Sequence, residues 1–568
     1  MKRNPKMLML MLALTMSVSM TACSTNQTGN ETNKESGANS GEGSNTAAAE
    51  TLMKNGKFDP PQTMTVGYNT KVMKFKNGET PENNILHDIF KEEKGIEIKP
   101  LWTAATDDAY KNKIQLGVAA GEELPDVLVT ADATLINQMI EDGMLTDIGP
   151  VFDQYAGANL KKAFEQAGPT VWNSVTKDGK RYGLPIIGSK GQVDPVLWFR
   201  EDWMKKLNLK APKTLEDLEV VLDAFVNKDP DGNGKKDTYA ISAGTKNNMA
   251  SWMADLGFVF GAYGTAPWDG MWREGEDGKL MYDAIRPENK QALAKLQEWF
   301  KKGYMSPNMG VVDEGKGAED FTSGKAGLIA GPYWLPDWPL SDLLKNVKGA
   351  EFKPYALPTG PDGTLVRMTW APLFGNYIVS KEMEHPEVFI EYLNYIYDEM
   401  VDPAYGGKYE HGIAEGYDYA MVDGKPTSNP EQIPGGKVSI FPEYLLTSNV
   451  DMPNRIFDSL TYLNGGKEPR TPKEKTLKQD KPKFIEAGAI LNSQKETAVV
   501  SQYQGPVTQN MIDKGEAIKT MWITDYTKII YGKESVDYFD TFVKNWKSKG
   551  GDEITADVNE WYSEMKTK

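Results

Sequence analysis

An α/β fold divided into two lobes is what this chain predicts, on three observations. From residue 64 to residue 143, short apolar strand-like runs alternate with amphipathic helical runs. That alternation builds a largely parallel sheet covered by helices. The chain has 568 residues, and single hydrophobic cores stop growing near ~250–300 residues. Apolar residues make up 40% of it and only one residue is cysteine. Two large cores, not disulfides, must therefore carry the stability.

The elements follow in chain order. Met1–Lys6 holds Lys2, Arg3 and Lys6 and no acid, and Met7–Met20 is uncharged and rich in Met and Leu. A basic head, a short apolar stretch and small residues are the layout of a secretory signal. The stretch is shorter than the ~20 residues that span a bilayer. Met20-Thr21-Ala22-Cys23 resembles the lipobox of bacterial lipoproteins. There the Cys is acylated and becomes residue one after cleavage, so lipidation of Cys23 is expected. Residues 24–49 contain no aromatic and no branched aliphatic side chain. Such a segment buries too little to offset its ordering entropy, so a tether is expected over 23–59.

The globular part is expected from Pro60-Pro61. Met64–Tyr68 alternates as a strand, and Ile85, Leu86, Ile89 and Phe90 fall at helical spacing before Gly95. Ile96–Lys99 reads as a second strand closed by Pro100. Tyr110, Ile114 and Val118 mark a helix over 107–119. Asp126–Val129 is a nearly all-apolar third strand, buried on both faces. Leu135, Ile136, Met139 and Ile140 form a further helix ending at Gly143. Thr214 with Asp217 three residues on caps another, a capping-box variant. Near the C-terminus, Val536, Phe539, Val543 and Trp546, then Ile554, Val558 and Trp561, repeat at helical spacing. Those aromatics read as core.

Without Lys2, Arg3 and Lys6, 61 basic residues face 80 acidic ones, a formal charge of −19. A charge of that sign repels phosphate backbones, so nucleic acid is not an expected partner. No second apolar stretch is long enough to span a membrane.

One local motif has the chemistry of a hard cation. In Asp229-Pro230-Asp231-Gly232-Asn233-Gly234-Lys235-Lys236-Asp237, oxygen side chains stand at positions 1, 3, 5 and 9 of a calcium loop. Gly234 sits at the sharp turn, and Lys235 offers its backbone carbonyl at position 7. Position 12 is Ala240, so the usual bidentate Glu is missing. Structural Ca²⁺ on Asp229, Asp231, Asn233, Lys235 and Asp237 is expected, against a metal-free loop closed by its own side-chain hydrogen bonds.

The aromatic load is the second signal, with 14 Trp and 25 Tyr. Sugar rings offer C–H faces to indole and phenol rings, while their hydroxyls seek polar neighbours. Trp102, Trp268, Trp272, Tyr333, Trp334 and Trp370 stand in turn-like settings; core packing is the alternative for each. Trp198 and Trp252 read as core. Catalysis has little support. The chain has three His and neither a His-Glu-x-x-His nor a Gly-x-Ser-x-Gly motif. His87 and His385 read as surface residues. Acid pairs such as Asp107-Asp108 are adjacent, not facing as a glycosidase needs.

An ordered set of segments carries a resemblance: Gly121–Val129, Glu141–Ile148, Tyr182–Pro185, Leu197–Trp203, Pro212–Leu218, Phe321–Gly327, Leu357–Gly363, Gly551–Thr555 and Val558–Tyr562. Together they resemble the extracellular solute-binding proteins of bacterial ABC importers, in the large oligosaccharide-binding branch. The resemblance implies a type II periplasmic-binding-protein-like fold, two lobes joined by several crossings, with the ligand in the cleft. It places crossings near Pro185–Gly191, Pro354–Gly360 and within Tyr405–Tyr417, with Gly188, Gly191 and Gly360 as hinge candidates. The domains it implies are a signal over 1–22, lipidated Cys and tether over 23–59, and lobe 1 over 60–187 and 357–410. Lobe 2 takes 188–356, with the calcium loop at 229–237, and 411–568. It turns Asn69, Trp102, Asp132, Tyr333, Trp334 and Trp370 towards the cleft, with Trp268, Trp272, Tyr503 and Gln504 beside them. The calcium loop of that branch is completed by an acid just after the fifth ligand, where this chain has Thr238.

The function implied is a lipid-anchored, monomeric receptor on the outer face of the cell membrane. It captures an oligosaccharide by lobe closure and delivers it to ABC permease subunits, touching the membrane only through its lipid. The alternatives are an extracellular glycan-active enzyme, or a binding subunit for a sensor or adhesion system.

Overall fold

A computed structural model describes residues 52–567. The signal over 1–22 and the lipidation site Cys23 lie outside the described residues. So does the tether as far as residue 51. The end of the expected tether belongs to the fold: Met53–Lys54 pairs antiparallel with Lys57–Phe58, and Phe58 is buried.

Nine strands make two sheets. In chain order they are β1 (Gln62–Asn69), β2 (Ile96–Ala104), β3 (Val127–Thr130), β4 (Gly183–Ile187), β5 (Val196–Arg200), β6 (Tyr239–Ile241), β7 (Ala326–Gly331), β8 (Phe352–Tyr355) and β9 (Leu373–Val379). The first sheet has the order β2-β1-β3-β9-β4 and the second β6-β7-β5-β8. β1 is parallel to β2 and β3, while β9 runs antiparallel to β3 and β4. In the second sheet β6 and β7 are parallel and β5 opposes both its neighbours.

Local chemistry sets the element ends. The Asn84 side chain accepts from the backbone N–H groups of Leu86 and His87 and starts the helix Ile85–Lys94. Gly95 ends it at φ 67°, and a Cβ there would lie 2.3 Å from the Phe58 carbonyl oxygen, so only glycine fits. Thr214 and Asp217 close a reciprocal capping box on Leu215–Asn227. Pro100 does not close β2, which runs on to Ala104. β2 is the sheet edge, where proline is tolerated, and the register shifts between Val66 and Gly67 opposite it.

Each sheet is packed into its own core. Met64, Val66, Ile96, Leu184, Ile186 and Val379 face Phe389 and Tyr392 in the first. Leu197, Phe199, Leu222, Phe225, Leu328 and Trp299 form the second, completed by Trp522, Phe542, Trp546 and Val558. Of the C-terminal aromatics Phe539 and Trp546 are core, and so is Trp198, while Trp561 is only partly buried, against Tyr503. His87, expected on the surface, is 7% exposed and stacks on Tyr68 at 5.9 Å.

The chain passes between the sheets from β4 to β5 and back from β8 to β9. The third passage corrects the sequence expectation. Tyr409, Val438, Ile440, Tyr444 and Val450 all lie in the first core, and the Tyr444 hydroxyl donates to the Lys74 carbonyl at 2.8 Å. Ile456 and Leu460 pack instead with β5 and β7 side chains. The crossing therefore falls between residues 450 and 456, not within 405–417, and the first lobe continues to about 450, not to 410. Gly360 is no free hinge either: a Cβ there would lie 1.8 Å from the Ala262 carbonyl oxygen. At Gly191, with φ 71°, a Cβ would lie 1.9 Å from the Phe457 ring. These glycines serve close approach of the crossing segments to their neighbours.

Candidate functional site

Two cavities open where the lobes meet. The first, about 960 Å³, is lined by Asn69, Lys71, Asp107, Lys111 and Asp132 from the first lobe and by Val507 and Ile512 from the second. The second, about 740 Å³, is lined by Ala167 and Thr170 of the first lobe, by Lys190, Asp194, Arg367 and Trp370 on the crossings, and by Phe457, Gln504 and Tyr562 of the second. Both volumes suit ligands of several rings.

The strands explain the first cavity. Asn69 ends β1, and its Nδ2 donates to Asp107 Oδ1 at 3.0 Å while its Oδ1 accepts from the Lys71 backbone at 3.1 Å. Asp132, after β3, caps the helix Ala133–Glu141 through the Leu135 N–H at 3.2 Å and pairs with Lys111 at 3.2 Å. Lys71 and Asn69 hold the Asp107 carboxyl below its usual range.

In the second cavity, Arg367–Met368 pairs in parallel with Ala498–Val499, which brings Trp370 and Gln504 to one wall. Trp370 is 36% exposed and meets Trp268 edge to face, with ring centroids 5.3 Å apart. Gln504 Nε2 donates to the Ser501 carbonyl at 2.7 Å. Behind them Arg367 and Asp194 form a buried ion pair. Burial pushes the Asp194 carboxyl up, against the pull of Arg367 and Thr369. Asp194 Oδ1 and Arg367 Nε keep no hydrogen-bond partner.

Several sequence candidates are packing residues instead. Trp102 on β2 is half-buried against Tyr110 at 5.1 Å and lines neither cavity, because the helix Asp107–Ala120 covers that face. Trp272 is 3% exposed, in contact with Tyr282 and Trp546. Tyr333 is 8% exposed, edge on to Phe484 at 5.5 Å. Trp334 donates its indole N–H to the Gln192 carbonyl at 2.7 Å and stacks on Trp252 at 5.6 Å. Tyr503 packs on Trp561 at 4.9 Å. Trp268 backs Trp370 without lining the cavity. Asp194, Arg367 and Lys190 are absent from the sequence-based set. Asp194 and Arg367 are 173 residues apart, and no local pattern joins them.

The acidic loop is tied together by its own side chains. Asn233 Nδ2 donates to Asp231 at 2.7 Å and to Asp237 at 3.1 Å, and the Gly234 N–H donates to Asp229 Oδ2 at 3.2 Å. Asp229 Oδ1 is buried and has no partner. Lys206 Nζ donates to the carbonyls of Asp229 and Pro230, both at 3.0 Å. Thr238 turns away, donating to the Phe225 carbonyl at 2.7 Å, so it completes no cation shell. Among the described residues no three His, Cys, Asp or Glu side chains converge at metal-binding distance. Also among the described residues, no helix is long and apolar enough to cross a membrane.

The family model for bacterial extracellular solute-binding proteins matches residues 86–395. The chain belongs to that family. It is 25% identical over 494 residues to Lipoprotein LipO of Bacillus subtilis, covering 83% of this chain and 87% of the relative. It is 25% identical over 474 residues to the polygalacturonan/rhamnogalacturonan-binding protein YtcQ of the same organism, covering 82% and 85%. The solved structure of the ABC-transporter substrate-binding protein FusA of Streptococcus pneumoniae with kestose superposes with a TM-score of 0.57. It shares 18% identity and covers 89% of this chain and 100% of that one. A further structure of FusA is of an EF-hand mutant. The two-lobed fold is that of the family.

Proposed function

We propose that this chain is the receptor of an ABC importer, taking an oligosaccharide into the cleft between its lobes and passing it unaltered to membrane permease subunits. The observation that carries this reading is the second cavity, where exposed Trp370 stands beside Gln504, Lys190 and the Asp194–Arg367 pair at the meeting of the crossings. An aromatic face beside polar side chains suits a sugar ring. Three relatives support it by name: FusA is a fructooligosaccharide ABC transporter substrate-binding protein, YtcQ binds polygalacturonan and rhamnogalacturonan, and LipO is a lipoprotein. The last favours acylation of Cys23 and a place on the outer face of the cell membrane. The receptor acts as a monomer.

Ca²⁺ in the 229–237 loop has a structural role in this reading. The partnerless Asp229 Oδ1 and the carboxylates gathered around the Asn233 amide are the donors that would hold it. The sixth ligand is left to water or a backbone carbonyl.

Melting temperature measured against a panel of neutral and acidic oligosaccharides tests the sugar reading. Binding stabilises by RT ln(1 + [L]/Kd), so micromolar ligands register at millimolar concentration. The expected result is a saturable shift with at least one glycan, which is recovered intact. No shift with any glycan, or release of shorter products, overturns it.

A further inference from the structure

The two cavities differ in charge. The first is lined by Lys71 and Lys111 against Asp107, Asp108, Asp132 and Glu443. The second is lined by Lys190, Arg367 and Lys495 against Asp194 alone. A net positive wall in a protein of formal charge −16 is a local reversal of sign. Asp194 neutralises Arg367, and Lys495 lies 3.8 Å from Glu496, which leaves Lys190 as the cation without a carboxylate partner.

Lys190 is half-buried and its ammonium donates to the Gln166 carbonyl at 2.6 Å. Burial pushes it below the usual lysine range, and no neighbouring carboxylate opposes that shift. An ammonium has three donors, so a partly desolvated one with a single carbonyl partner gains from a counter-ion. Next to it, Arg367 and Asp194 are buried and matched to each other, so they add no free charge to the wall. Trp370 offers an exposed ring in the same cavity.

We infer that the second cavity takes a uronate residue of the oligosaccharide, with its carboxylate on Lys190 and its ring on Trp370. The inference rests on the sugar reading and narrows it to acidic glycans. The arrangement matches charge to charge at one end of the cleft.

The test compares galacturonate oligosaccharides with their carboxyl-reduced counterparts of equal length, by calorimetry at low and high salt, on wild type and Lys190→Gln. The expected result is acidic glycan bound at least ~10-fold tighter than reduced glycan, the size of one charge-assisted hydrogen bond. The preference shrinks in salt and is lost in K190Q, while the melting temperature of free K190Q stays within a few degrees of wild type. If K190Q does not fold, the salt dependence of the wild-type preference decides in its place. Equal or tighter binding of the reduced glycan overturns the uronate site and leaves the sugar reading standing. An acidic preference that K190Q keeps also overturns the site. No binding of either glycan, with no other sugar shifting the melting temperature, overturns both.

Discussion

Asp194 and Arg367 form a buried ion pair that ties the first crossing segment to the second. Each charge has left water and is matched chiefly by the other. Removing one partner strands the other in the interior, which costs about 3–5 kcal/mol, whereas replacing both with apolar residues is often close to neutral. Arg367→Met and Asp194→Leu alone are each expected to lower the denaturation midpoint strongly. The Asp194→Leu/Arg367→Met double variant recovers most of that loss. Urea denaturation of the four proteins checks the cycle.

The tryptophans separate into binding and packing roles. Trp370→Ala removes a half-exposed ring, so ligand affinity falls by about tenfold or more while stability falls by about 1 kcal/mol. Trp272→Ala opens a hole between Tyr282 and Trp546 and costs about 3–5 kcal/mol, with affinity unchanged in the molecules that still fold. Melting curves with parallel binding isotherms distinguish the two.

A chelator is expected to lower the melting temperature, and calcium to restore it in full. Asp229→Ala removes the partnerless carboxylate oxygen and makes the protein indifferent to both. Scanning calorimetry with and without chelator reads this directly. An unchanged melting temperature in wild type would remove the cation from the loop.

Burial pushes the Asp255 carboxyl up to about 7, against the backbone N–H groups of Ser251 and Gly257 that donate to it. The folded chain then binds a proton that the unfolded chain releases near 4. Asp255 therefore weakens the fold as pH rises from about 4 to about 7, by roughly 4 kcal/mol in all. His87 acts in the opposite sense. Burial lowers its value below 6.5, so its contribution is present above that pH and lost as pH falls below it. The difference between wild type and Asp255→Asn in denaturation midpoint, followed from pH 4 to pH 8, isolates the carboxyl.

The fold was legible where local pattern decides it. The alternation before Gly143 placed β1 and β3 and their helices, and the capping residues at Thr214 and Asp217 marked a helix start. The third crossing was not legible, because residues 405–450 hold little regular structure and their place is set by Tyr409, Val438 and Tyr444 burying against a sheet hundreds of residues earlier. Of the cleft residues, Asn69, Asp132, Trp370 and Gln504 line the cavities. Trp272 and Tyr333 do not, since a turn-like sequence context says nothing about which tertiary neighbour covers a ring. Asp194 and Arg367 escaped because an ion pair between two crossings leaves no local spacing to read.

Small-angle scattering, titrated with an oligosaccharide that raises the melting temperature, tests the central claim most directly. Lobes that swing together around a sugar reduce the radius of gyration in step with occupancy, and the sugar is recovered whole. A radius unchanged at saturation, or a glycan returned shorter than it went in, contradicts the account.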